Sequence, residues 1–250
     1  MTKLSCSLKI ILLIISPLFV FSQQNLFNIP AGDLTPEGRF FYQHQTNLYP
    51  DLTTESKNHL VYGLKRNWEI GVNFQNIKID WLDDDGNGEM LYTNGKDNSK
   101  PLMPLLQFTA QKFFFLGKNF KTTIGTQIGT NVKHFRATPH LTHFTYNLWV
   151  YEPAHHTKFV VGPYITDRRT VGRGNTTGVM VGFEVPVHKR LLIMGDWISG
   201  RNSASVGVLG INYFLTKRIQ LCLGALLPNP RTDSKPGVVF ELNLLGFDDN

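Results

Sequence analysis

Residues 68–80 read WEIGVNFQNIKID. Trp68, Ile70, Val72 and Phe74 fall on one side of an extended chain. Glu69, Gly71, Asn73 and Gln75 fall on the other. A two-residue period marks a strand with one apolar and one polar face. Just upstream, residues 59–64 read HLVYGL, and Lys65-Arg66-Asn67 is a tight turn, so VYGLKRNWEIGV is a hairpin. The same alternation runs on to the C-terminus and predicts an all-β chain.

Outward from this hairpin the pattern gives strands over residues 39–48, 59–64, 68–80, 104–114, 120–132, 141–151, 158–166, 176–185, 191–198, 204–214, 219–227 and 237–245. The count of about twelve, with ten or fourteen as neighbouring alternatives, suits a single-chain transmembrane antiparallel β-barrel, which takes an even number. Connections after even strands are short, and most after odd strands are longer. Residues 49–57 read as a polar loop. Pro163 cannot donate to a ladder, and a closed barrel has no edge to hide it, so a bulge or an early strand end is expected there.

The N-terminus is a separate object. Lys3 and Lys9 precede the largely apolar run of residues 10–21, and Val20 and Ser22 fit a cut before Gln23. Residues 1–22 therefore read as a secretory signal. Cys6 precedes the apolar run, which argues against a lipoprotein, and Cys222 is then the remaining cysteine. Loss of Lys3 and Lys9 takes the formal charge from +6 to +4, that is 23 minus 19. No basic stripe with interleaved aromatics suggests nucleic acid. Residues 23–38 carry Pro30 and Pro36 without periodicity. They read as a periplasmic lead-in or as a plug in the lumen, the tail being the plainer reading. Residues 39–247 make the barrel.

Alternation does not distinguish a membrane barrel from a soluble one. The export signal does, together with aromatics near strand ends (Tyr62, Trp68, Trp81, Trp149, Trp197, Tyr213), since amphipathic rings favour the headgroup level. The polar faces also hold amides and carboxylates, a poor filling for a small soluble core.

YGLKRNWEIGVNF, followed by further hairpins and ending in VVFELNLLGF, resembles the small bacterial outer-membrane barrels of the transporter or "MetA-pathway of phenol degradation" type. The resemblance implies passive transport of small solutes, among them apolar ones, in a porin-like barrel. Its partners would be membrane lipid, a small solute and the export and barrel-assembly machinery. The final strand departs from the usual pattern, because Phe247 is followed by Asp248, Asp249 and Asn250.

The lumen-lining candidates are Glu69, Asn73, Gln75, Gln107, Gln111, Lys121, Gln127, Glu184 and Glu241, joined by Gln43, Gln45, Thr109, Thr123, Thr145 and Asn147. Such a lining can conduct as a water-filled pore or zip shut, leaving a closed structural or adhesion barrel that acts through its loops. Asp83, Asp85 and Asn87 open a D-x-D-x-N-G calcium pattern. Position twelve is Asn94 where a bidentate glutamate belongs, so any Ca2+ would be weakly held. No other cofactor and no catalytic residue is expected. A remote alternative is an outer-membrane lipase on His143-Phe144-Thr145, with Thr where such enzymes carry Ser. His140 and His143 lie near one end of a strand and His155 and His156 near the other, too far apart to share an ion. The long polar loop over residues 82–100 is expected outside the cell, as a gate or contact surface.

Overall fold

The computed structural model describes residues 25–82, 87–93, 99–132, 140–154 and 157–248. Its strands are β1 (Phe40–Leu48), β2 (Thr53–Leu64), β3 (Trp68–Asp80), β4 (Glu89–Met90), β5 (Leu105–Phe115), β6 (Phe120–Asn131) and β7 (Thr142–Ala154). Then come β8 (Thr157–Thr166), β9 (Thr177–His188), β10 (Leu191–Ile198), β11 (Val206–Phe214), β12 (Ile219–Pro228) and β13 (Gly237–Leu245). One helical turn, α1 (Arg168–Val171), follows β8. The two-residue β4 only extends β3 above the wall. The other twelve strands pair antiparallel in chain order, and β1 pairs with β13 from Phe41↔Leu245 to Leu48↔Val238. The sheet therefore closes on itself and leaves no unpaired edge, as a lipid-facing sheet requires.

Turns of two to four residues join the strands at one end (residues 65–67, 116–119, 189–190 and 215–218). Most connections at the other end are longer. Neighbouring residues face opposite ways: Phe108 is 69% exposed, while Gln107 beside it is 0%. Ile70, Phe108, Ile124, Val161, Leu223 and Phe240 belong to an apolar outer belt. Phe40, Tyr62, Trp68, Phe120, Trp149, Tyr151 and Tyr213 ring its short-turn end, where Phe120 stacks on Tyr151 at 4.6 Å. An apolar exterior with an aromatic rim is the surface that lipid demands.

The strand map drawn from the sequence needs three corrections. Residues 53–58 belong to β2, not to a loop. They are polar yet pair with both β1 and β3, with a bulge in β3 at Gln75-Asn76, where Asn76 has a φ of 55°. Pro163 sits mid-strand without a slip. The register is the same on both sides of it, Tyr146↔Tyr164 and Trp149↔Val161, and the shift lies further on, between Tyr151 and Ala154.

The third correction concerns faces. On β7, Tyr146, Leu148 and Val150 are buried inside with Phe144 packed against them, so His143, Thr145 and Asn147 face outward. Thr145 and Asn147 therefore do not line the lumen. They satisfy their polar groups against β6: the Thr126 and Thr145 hydroxyls lie 2.9 Å apart, and Asn147 donates to Thr122 Oγ1 at 3.0 Å.

The segment ahead of β1 explains the third. Residues 25–37 lie inside the wall, as the plug alternative has it. They touch β1, β2, β3, β6, β8 and β10 at once, which only a segment inside the barrel can do. Leu26, Phe27, Ile29 and Ala31 are fully buried among Leu148, Val150, Val160, Met180, Met194, Val208, Cys222 and Val239. The core of this barrel is thus half wall and half plug, and β7 turns its apolar face inward to meet it. Small inner residues make the room. A Cβ on Gly210 or Gly224 would lie 2.7 or 2.8 Å from the Phe27 ring, and one on Gly182 would strike Leu26.

Candidate functional site

The internal segment is held by charge at one end and by packing at the other. Near the short-turn end, Asp33 pairs with Lys121 at 2.9 Å and with Lys158. Lys121 also reaches Glu152 at 2.8 Å. Thr35 donates to Glu69 from its N–H at 2.9 Å and from its hydroxyl. Gln111 donates to the other oxygen of Glu69 at 2.5 Å, and Tyr146 donates to Gln111 at 2.9 Å. Higher up, a turn in which Leu26 N–H donates to Ile29 C=O presents the N–H groups of Asn28 and Ile29 to the Asp196 carboxylate. Lys57 donates to Phe27 C=O at 2.9 Å and to Asn28 Oδ1 at 3.1 Å. Every one of these ionic groups is inside the wall, where pairing decides whether burial is tolerable.

All nine lumen-lining candidates point inward. Glu69 and Gln111 grip the segment as described. Asn73 bonds His59, and Gln75 donates to Gln107. Lys121 holds Asp33. Gln43 donates to Glu241 at 3.2 Å. Glu184 is fully buried opposite Lys158 in the β8–β9 ladder, and among the described residues neither of its oxygens accepts a hydrogen bond. Gln127 faces open space. The residues are therefore not one cluster. Some clasp the segment, and the others line what it leaves free.

That free space is one-sided. The segment packs its apolar side chains against the β7–β13 side of the wall. Between it and the polar wall of β1–β6 remains a crevice of about 80 Å³, lined by Gln43, His59, Asn73, Thr109, Gln111 and Tyr146 among others. Above it, at the long-loop end, a cavity of about 530 Å³ opens outward. Asn28, Lys57, Gln75 and Gln127 line both, so the crevice continues the cavity downward. Together they form a polar space that descends from the mouth beside residues 25–30 to the level of Gln111 and Tyr146.

The mouth cavity is built by the long connections. Leu91, Lys100 and Pro101 come from the loop after β3, which is tied to the wall where Asn131 donates to Thr93 C=O at 2.9 Å. Asp167 caps α1, accepting from the N–H groups of Arg169 and Thr170 at 2.8 and 3.0 Å, and so fixes Thr170 and Val171 at the rim. Tyr49 donates to Glu55 at 3.1 Å, and burial with the nearby Glu55 charge pushes its phenol up, so it stays a donor. Lys235 bonds Asp51 across the rim and holds that carboxyl at about 2.

Of the other candidates, the His143 and Thr145 pair does not assemble. Asp83 and Asp85 lie outside the described residues, as do His155 and His156. Among the described residues no three His, Cys, Asp or Glu side chains are placed to hold a metal. His143 and Thr145 are on the outer face. His143 Nδ1 is 3.3 Å from Asp167, but the Thr145 hydroxyl is engaged with Thr126, and no hydrogen bond joins it to His143. Sequence reasoning missed Asp33, Lys57, Lys158 and Asp196. The available signals were two inward lysines on alternating strands and the apolar NLFNIPA ahead of the barrel.

No protein-family profile and no curated protein matches the chain. Among solved structures it is similar to the KdgM porin in complex with disordered oligogalacturonate, with a TM-score of 0.52 and 6% identity over 84% of this chain and 98% of that one. It is also similar to an outer-membrane channel from Pseudomonas putida F1, with a TM-score of 0.46 and 13% identity over 86% and 98%. A third is outer membrane phospholipase A from Escherichia coli, at 0.45 and 11% over 86% and 94%. At these identities the likeness speaks to fold alone. The closed ring and its apolar outer belt make the chain an outer-membrane β-barrel.

Proposed function

We propose that this barrel is a passive diffusion channel for small polar solutes, with residues 25–37 as an internal plug that narrows it. The observation that carries the reading is the polar space of mouth cavity and crevice that descends beside that segment. A barrel closed for purely structural ends has no need of a polar space left open between its plug and one side of its wall. The short turns belong in the periplasm and the long loops outside, so the cavity faces the exterior. A crevice of about 80 Å³ passes little more than water while the plug stays seated. Passage of larger solutes then requires the plug to shift. The resemblance to barrels of the "MetA-pathway of phenol degradation" type fits passive transport, but the amide-rich crevice favours polar solutes over apolar ones. Liposome swelling with neutral solutes of graded size tests this. The channel reading expects a sharp size limit that rises when the plug is loosened. Liposomes that never swell, with or without the plug, would leave the closed barrel acting through its loops.

A further inference from the structure

The mouth cavity carries an excess of one charge. Its described lining holds six cations, Lys57, Lys78, Lys100, Arg173, Arg201 and Lys235, against the carboxylates Asp51, Glu55 and Asp233. Lys235 is paired with Asp51. Lys78 lies over the Tyr49 ring at 5.4 Å, which leaves its charge available. Lys100, Arg173 and Arg201 are exposed, and among the described residues none has a carboxylate within ion-pairing distance. They come from three different connections, after β3, β8 and β10, so the free cations surround the cavity rather than crowd one side. The floor is Lys57, which spends two of its donors on the plug and has a third to offer. Cations around a concave, partly desolvated space focus their field into it. Guanidinium groups bind oxyanions with paired hydrogen bonds.

We infer that the mouth cavity is a binding site for small polyvalent oxyanions, di- and tricarboxylates in particular. A monovalent anion would meet one cation at a time. A polycarboxylate of a few carbons fits about 530 Å³ and can engage several loops at once. On its way to the crevice it meets Lys57, the same side chain that bonds Phe27 and Asn28, so the occupied site competes with the plug for that ammonium. The inference rests on the channel reading for its purpose and names the class of solute. Binding itself is measurable without conductance.

The test uses the full chain, purified in detergent free of lipopolysaccharide, with citrate as probe and uncharged trimethyl citrate as control. Titration calorimetry at low salt should show citrate binding that weakens with added salt, and none for the ester. Arg173→Glu with Arg201→Glu and Lys100→Glu should weaken citrate by about tenfold or more, and the neutral Arg173→Gln, Arg201→Gln pair by less. All three residues are exposed, and heat-modifiable gel mobility confirms that each variant keeps its barrel. Citrate that does not bind, or binds equally well to the reversed variant or as its ester, would overturn the inference. Citrate that binds as described to a barrel passing no current would overturn the channel reading and leave the site standing.

Discussion

Asp33→Ala should unseat the plug, and the size of the effect follows from what surrounds it. Asp33 is the shared anion of two lysines whose side chains are 12% and 4% exposed. Removing one member of a buried ion pair costs about 3–5 kcal/mol, because the other is left charged and uncompensated. Here the low end applies. Lys121 keeps Glu152 at 2.8 Å, and Glu184 lies opposite Lys158 in the ladder as a neighbouring charge without a hydrogen bond. These lysines belong to the wall and Asp33 to the plug, so the loss falls on docking rather than on closure of the barrel. A cost of about 3 kcal/mol raises the undocked fraction by about 100-fold. Cys222 reports it directly. It lies 1% exposed in the inner wall beneath the plug, and the sequence has one other cysteine, Cys6. Its rate of reaction with a charged methanethiosulfonate should rise by about the same 100-fold. Asp33→Glu, which keeps the charge, should move the rate far less. A folded Asp33→Ala barrel whose Cys222 reacts at the original rate would refute the electrostatic latch.

Three further outcomes are expected. Gly182→Val should eject the plug by sterics, since the new Cβ strikes Leu26 and lies 2.9 Å from Ile29 Cδ1 while backbone stays 3.3 Å away; fast Cys222 labelling with unchanged gel mobility checks it. Glu69→Gln turns an acceptor of three donors into a group that must present N–H to one of them, and should lower the melting temperature through a loss of about 1–3 kcal/mol. The Asp51 carboxyl, held down by the Lys235 bond, should titrate near pH 2 by NMR. Its lowered value means the rim pair contributes fully above the ordinary 3.8 and is lost only as pH falls through about 2. Lys235→Ala should raise it toward the ordinary value, with the Thr53 hydrogen bonds still holding it somewhat below.

Most of the wall was legible because a strand with one polar side announces itself. WEIGVNF put Trp68, Ile70, Val72 and Phe74 on the outer face and Glu69, Asn73 and Gln75 on the inner, and the structure agrees. Alternation names two faces without saying which is inside. For β7 the assignment went the wrong way, since Tyr146, Leu148 and Val150 look like lipid-facing residues until something apolar is known to fill the lumen. The filling itself, NLFNIPAGD, has no period, because a segment wrapped on every side by wall needs none. Its charged anchors are single residues on distant strands, and only closure brings Lys57, Lys121, Lys158 and Asp196 to one axis. The polar half of β2 was hidden for another reason: residues 53–58 pair on both sides but carry no apolar outer face to mark them as strand.

The central claim is that residues 25–37 occupy the lumen and govern passage through it. Single-channel recording in planar bilayers tests it most directly, comparing the full chain with one lacking residues 25–34. Thr35 and its bond to Glu69 are retained, so the approach to β1 is undisturbed. The full chain should show small, infrequent openings, and the deletion a steady, larger conductance. A deletion barrel that is folded by gel mobility yet as silent as the full chain would contradict the account, and so would a full chain already open at the deletion's level.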